Sequence, residues 1–555
     1  MDKKIYMAIG LAIFTGTGLG AQNLNPQVQV TNDYEASMAN RKKAALYMQV
    51  PDSLTRFDTK VDYSVFDTRY QGAYEFNPYA VTVVPEAREF SGNTLFLKAG
   101  AGYSFHPLLQ AVYTPKKQGT FRTDIYAGFG GYGGKYNSDF VYGKENPSSF
   151  DGHDYSLDAG AEARWNLDKV NIYGNLGYEG ILTKDIAIKS GFHEGSLAGR
   201  IASASRDVPL FYDLGLRGSM FRDAISGDPN IASLGGGGFT LDATLIPEIA
   251  SMIDVVVDVD MEGNFYGGDA LKGAFSTVFN PRAIFNWKSV QLTAGFTAGL
   301  GTKNGIYPDL RVRLNFLDGL FSAYAKVGGG QYLNDYASLK KQIHWLNVSF
   351  IPESGLGVSA DRLDARVGVT GKVFSDLQYD VFLGYAMKDD ALLYTVTYPF
   401  STNSSVIYNP FSGIAFADYR QVYAGLGLSW KTDRLELGGN LLYRNSDLAT
   451  RQSFKENTSW VGVAPFEADF RAVYNWNHRV YAGVNLSGMG RRPWNGGEDK
   501  VRGFCLAGLS FEYLVNRRFS LWTNIDNILN QKMTLMPAYI PGGINFTAGL
   551  CLRLQ

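Results

Sequence analysis

Five histidines, two cysteines and one row of carboxylates are the side chains in this sequence whose types and spacing are able to do chemistry. A histidine acts as a base when it sits beside a nucleophile, and two carboxylates can divide acid and base roles between them. None of His106, His153, His193, His344 and His478 lies in a nucleophile motif. His106 and His478 fall at turns, His153 and His193 near strand ends, and His344 inside a long connection. The expectation is no catalytic residue. Cys505 and Cys551 are too few for a disulfide framework or a four-ligand zinc site. They read as packed thiols, with no metal and no cofactor implied. The row Asp254, Asp258, Asp260 and Glu262 is either a cation site or a selectivity lining. Alternatively, Arg164, Arg200, Arg217, Arg311, Arg313 and Arg366 project to the same side of their segments, and a mixed ion-pair network accounts for both sets. The network is the favoured reading, and Asp254, Asp258, Asp260, Glu262, Arg311 and Arg313 are the expected charged lining.

Composition says what kind of element carries these groups. The chain has 63 Gly, 34 Tyr and 35 Phe in 555 residues, which suits many strands and turns. Beyond the N-terminus no window of about twenty apolar residues occurs, so a bundle of membrane helices is excluded. A net charge of -1, from 52 basic and 53 acidic residues, gives no electrostatic footprint for nucleic acid.

Residues 1–21 have the layout of a cleaved secretory signal: Lys3 and Lys4, an apolar run from Ile5 to Phe14, then Gly18, Gly20 and Ala21. No cysteine follows for a lipid anchor. Residues 22–93 are charged and irregular, with one short extended piece around Val28 and Val30 suited to adding to a partner's sheet edge or to tucking against the chain's own mouth.

From residue 94 onward apolar and polar residues alternate, as they do in half-buried strands. Leu95, Leu97, Ala99, Ala101 and Tyr103 share one face, as do Tyr155, Leu157, Ala159, Ala161, Ala163 and Trp165. Ile253, Val255, Val257, Val259 and Met261 alternate with the acidic row, and Leu310, Val312, Leu314 and Phe316 with Asp309, Arg311 and Arg313. Tight joins at 166–169, 206–209, 431–433 and 475–478 alternate with long polar connections at 135–152, 333–359, 389–416 and 445–463. Short turns at one end and long loops at the other are the anatomy of an outer-membrane barrel. The glycine runs 235–238 and 328–330 are not phosphate loops, because no Lys-Ser/Thr pair and no helix follows.

Trp165, Trp287, Phe316, Trp430, Tyr474, Trp476 and Tyr513 all lie on the apolar face just before a tight turn. That placement predicts an aromatic girdle at the periplasmic interface. The expected fold is all-β: a single large transmembrane antiparallel β-barrel of about 22 strands (18–22) over residues 94–555, with a short periplasmic N-terminal arm at 22–93. Its outer partner is outer-membrane lipid. In the final strand Ile544, Phe546, Leu550, Leu552 and Leu554 form the lipid face, and this strand is expected to close the barrel against residues 95–103.

Residues 521–533, LWTNIDNILNQKM, followed by AYIPGGINFTAGLCLRLQ, resemble the final hairpin of TonB-dependent receptor barrels. The Asn527 to Asn530 stretch closes the penultimate strand, and Pro541, Gly542 and Gly543 open the last. The resemblance implies an outer-membrane barrel of a Gram-negative bacterium that takes part in uptake. Two departures qualify it: residues 22–93 are too short for the family's plug domain, and the chain ends in Gln555 rather than an aromatic. The expectation is thus a plugless member acting as a pore or receptor-like channel for solutes. The alternative is a non-transporting accessory or scaffold subunit that contacts other envelope proteins through residues 22–93 and the long loops. An outer-membrane enzyme is the third reading.

Overall fold

The computed structural model describes residues 94–554 except for short connecting segments, the longest at 138–148, 398–410, 450–457 and 532–542. The signal sequence and the arm expected at 1–93 lie outside the described residues.

Neighbouring segments pair antiparallel in sequence order, and the last strand, Asn545–Leu554, pairs with the first, Leu95–Gly102. The sheet therefore closes on itself into a 22-strand barrel. Three further short strands, Thr458–Val461, Arg492–Trp494 and Asp499–Val501, sit at its loop end. Closure pairs every strand on both edges, the condition for crossing hydrocarbon with strands. The seam register runs from Leu95 opposite Leu554 to Gly102 opposite Thr547, which keeps the apolar residues of both strands on one face.

Strand Leu210–Ser226 shows how sequence sets the two faces. Leu210, Leu214, Leu216 and Met220 are exposed on the outside, while Phe221 and Asp223, in the other parity, are buried. Exposed apolar side chains of this kind need lipid as their solvent.

Glycine and aromatic residues are abundant for a related reason. Tyr423 lies over Gly384 across the ladder and Phe382 over Gly425, and a Cβ at either glycine would overlap the ring. At these two positions the ring lies over a neighbour that has no side chain.

Strand height varies around the barrel. Leu95–Gly102 has 8 residues, whereas Leu377–Thr397 and Phe411–Lys431 have 21 each. A span needs about 9–11 residues, so the two long strands continue well beyond the membrane. The connection expected as a polar loop at 389–416 is in good part a continuation of these strands. Thr458–Val461 then pairs with Tyr394–Thr397, above the point where strand Val358–Val373 ends.

The motif that carried the family resemblance has a local cause. Asn527 and Asn530 both adopt left-handed backbone, φ 51°, a conformation asparagine tolerates better than other side chains. Asn527 exchanges two hydrogen bonds with the Gln531 backbone at 2.7 and 2.9 Å. The Asn530 carboxamide oxygen accepts the Ile544 N–H at 3.1 Å, tying the turn to the start of the last strand.

Candidate functional site in the barrel mouth

The connection between strands Phe321–Leu333 and Val358–Val373 folds inward instead of standing in solvent. It was expected as a long polar loop at 333–359. Its sequence in fact carries Tyr336, Leu339, Ile343, Leu346, Val348, Ile351 and Leu356, all buried, and they form one apolar cluster. Helix α1, Tyr336–Gln342, opens the loop. Asp335 caps it by accepting the Ser338 N–H at 3.1 Å. Tyr336, Ala337, Leu339 and Lys340 are its buried residues, the i, i+3, i+4 pattern of a one-sided helix. Seven residues are too few for a stable isolated helix. Packing holds it, each fully buried large side chain contributing about 1.5–3 kcal/mol.

The packing partners lie on two stretches of wall, one several strands away and one made of the two strands that follow the loop's own stem. On one side are Ile181, Phe192, Phe221 and Leu234, with Phe221 stacked on Tyr336 at 5.6 Å between ring centroids. On the other are Ile414 and Phe416, with Leu392 and Tyr394 alongside. Tyr394 donates its hydroxyl to Gln342 Oε1 at 3.2 Å. The loop thus bridges the loop-side mouth from the 181–234 wall to the 392–416 wall.

Polar contacts fix its position. Lys340 Nζ lies 3.0 Å from Asp223 Oδ2, with both side chains essentially inaccessible. The same ammonium donates to the Leu346 carbonyl at 2.8 Å and to Ser190 Oγ at 3.2 Å. Asp223 also accepts from Tyr336 Oη at 2.6 Å and Ser190 Oγ at 2.7 Å. A buried charge pair survives when its remaining donors and acceptors are satisfied, and here they are. Burial holds the Lys340 ammonium below its ordinary range, against the pull of Asp223, and lifts the Tyr336 phenol well above its own. Burial likewise raises the Asp335 carboxyl against its cap bond. Nearer the rim, Lys341 Nζ bridges Glu179 at 2.7 Å and Glu194 at 2.6 Å, and His344 Nδ1 meets Asp154 at 2.6 Å.

Where the loop leaves its own wall, the stems are clasped. The Asn334 N–H donates to the Gly357 carbonyl at 3.1 Å, and its side chain to Leu356 O and Ser359 Oγ. Gly355 and Gly357, φ 85° and 56°, turn the chain back into the strand.

The residues singled out from sequence are distributed, not gathered. Asp258 pairs with Arg282 and accepts from Thr244 Oγ1 at 2.8 Å. Glu262 accepts the Leu333 N–H at 3.3 Å, at the root of the infolded loop. Arg311 pairs with Asp309 at 2.9 Å, and Arg313 donates to Ser322 Oγ at 3.2 Å. Asp254 and Asp260 stand in the same strand, Ile253–Tyr266, with Asp260 opposite Asp242. Further pairs join Arg200 to Asp213 at 2.6 Å, Arg164 to Glu162 at 3.1 Å and Lys326 to Asp364 at 2.8 Å. Among the described residues no three His, Cys, Asp or Glu side chains converge as metal ligands. His153 stacks on Tyr155, and His193 shares a hydrogen bond with Tyr178 at 2.7 Å.

Trp165, Trp287, Phe316, Trp430, Tyr474, Trp476 and Tyr513 are all exposed and lie within two residues of the short-turn ends of their strands. In the last strand Phe546, Leu550 and Leu554 are exposed, with Ile544 just before it, and Leu552 is half-buried. Cys551 and Arg553 in the other parity are buried.

No protein-family model matches the chain, and no curated protein matches it in sequence. Its likeness is to solved barrels. One is the copper transporter OprC, at 14% identity and TM-score 0.57 over 83% of this chain and 82% of that one. Another is a mutant of the ferric enterobactin receptor PfeA from Pseudomonas aeruginosa, at 10% identity and TM-score 0.61 over 83% and 80%. A third is the FrpB iron transporter from Neisseria meningitidis, at 10% identity and TM-score 0.59 over 83% and 82%. The shared property is the fold. Against that frame, the mouth loop with its buried Lys340–Asp223 pair is the feature sequence reading missed; its signal was the capped apolar spacing from Asp335 to Leu356.

Proposed function

We propose that this chain is an outer-membrane barrel, resembling a TonB-dependent receptor without its plug, that serves passage of solutes as a receptor-like channel. The observation that carries this reading is the barrel itself: 22 strands with an apolar outside and an inner wall of paired charges. A non-transporting membrane anchor has no need of a wide, charge-lined interior. The likeness to solved transporters and receptors supports it and disfavours an enzyme. In this reading residues 22–93 form a periplasmic arm, the seven aromatics from Trp165 to Tyr513 ring the periplasmic interface, and loop 334–357 stands in the path at the outer end. Recording in planar bilayers, with and without residues 22–93, tests it. Solute-dependent or variant-dependent conductance supports passage; no conductance in any folded form refutes it.

The second reading, an accessory or scaffold subunit of an envelope complex, is favoured by one specific observation. The mouth loop has an apolar core of its own, as a permanently folded wall would. Copurification of envelope proteins with a barrel that never conducts would decide for it.

A further inference from the structure

We infer that residues 334–357 are a latched lid: Asp223, on the far wall, and Lys340, on α1, hold the loop across the mouth, and the loop leaves that wall as a unit when the pair is broken. The inference rests on the passage reading for its purpose but not for its test.

Three observations combine. The loop is attached covalently at one wall, where Asn334 clasps Leu356, Gly357 and Ser359 and two left-handed glycines turn the chain. Its other charged contacts, to Asp154, Glu179, Glu194 and Asp223, all lie on strands 110 residues or more earlier in the chain. Of these, the Lys340–Asp223 contact alone is inaccessible on both sides. An element clasped at one end and charge-paired at the other has a natural axis of motion, with the clasp as pivot.

The latch also has an all-or-none character. With both members present, Asp223 accepts from Tyr336, Ser190 and Lys340, and Lys340 donates to Asp223 and the Leu346 carbonyl. Removing either charge leaves the other buried and unpaired, the costly case, whereas removing both is close to neutral. Lys341 and His344 contribute less, because the cations themselves are partly solvated, unlike Lys340.

The test reads lid position directly. Leu346, within the loop, is wholly buried; Leu346→Cys, in a Cys505→Ser background that leaves only buried Cys551, is labelled from outside by a water-soluble maleimide only when the lid lifts. Expected rates are slow for the parent, about 100-fold faster for Asp223→Asn or Lys340→Met alone, and within about tenfold of the parent for the double variant. Heat-modifiable migration on gels verifies that each barrel is folded, and the double variant keeps the test open should a single one fail to fold. Fast labelling of the parent, or single variants as slow as the parent, overturns the latch. Fast labelling of the single variants with no conductance overturns the passage reading and leaves the latch standing.

Discussion

Arg553 Nη2 lies 2.8 Å from Glu512 Oε1, joining the last strand to one two places away. Ser520, on the strand between, donates to the same carboxylate oxygen at 2.7 Å and accepts from Arg553 Nη1 at 3.1 Å. Three consecutive strands next to the seam are thus tied through one buried carboxylate.

Glu512→Ala is expected to destabilise the barrel by about 3–5 kcal/mol, because it leaves a buried guanidinium without its partner. Replacing both Glu512 and Arg553 with apolar residues costs less than either single change. Denaturant unfolding, followed by tryptophan fluorescence, measures both. A double variant whose loss equals the sum of the two single losses would show that the pair does not act as a unit.

On the opposite face of the last strand, Leu550 is exposed on the outside of the barrel. Leu550→Arg places a charge in hydrocarbon at a cost of about 2–4 kcal/mol near the midplane. The folded, heat-modifiable form should fall sharply in the outer membrane. Normal assembly would mean the two faces are assigned backwards.

The turn at 527–530 offers a smaller effect. Asn530→Ala removes the acceptor for the Ile544 N–H and puts alanine in left-handed backbone. A loss of about 1–3 kcal/mol follows from these two terms. Asn530→Gly keeps the backbone and loses only the bond, so it should be milder; an alanine variant as stable as the parent would contradict this account of the motif.

The exposed aromatics predict a depth. If Trp165, Trp287, Trp430 and Trp476 form an interfacial ring, lipids brominated near the headgroup should quench their fluorescence more than lipids brominated near the chain end. Stronger quenching from the chain end would place them in the hydrocarbon and remove the girdle.

How much of this was legible depends on the range of the interactions. Alternation within one strand reports its two faces, so Leu550 and Arg553 could be placed on opposite faces from the order of residues alone, and one is exposed and the other buried. The pairing of the last strand with the first followed as well, and the register found, Leu554 opposite Leu95, keeps both apolar faces outward. The mouth loop was not legible in the same way. Tyr336 and Asp223 are 113 residues apart, and nothing local to either says that they meet. The acidic row shows the same limit from the other direction. Asp254, Asp258, Asp260 and Glu262 look like one site when read along the strand, but Asp258 answers to Arg282 and Glu262 to the Leu333 backbone.

The account stands most directly on the conductance of a barrel whose latch is broken. Full-length Asp223→Asn protein, shown to be folded and to have its lid released, is recorded in a planar bilayer beside the parent. The parent should be quiet and the variant should conduct, with the double variant Asp223→Asn, Lys340→Met quiet again. A released lid over a barrel that still passes no current would contradict solute passage and leave the scaffold.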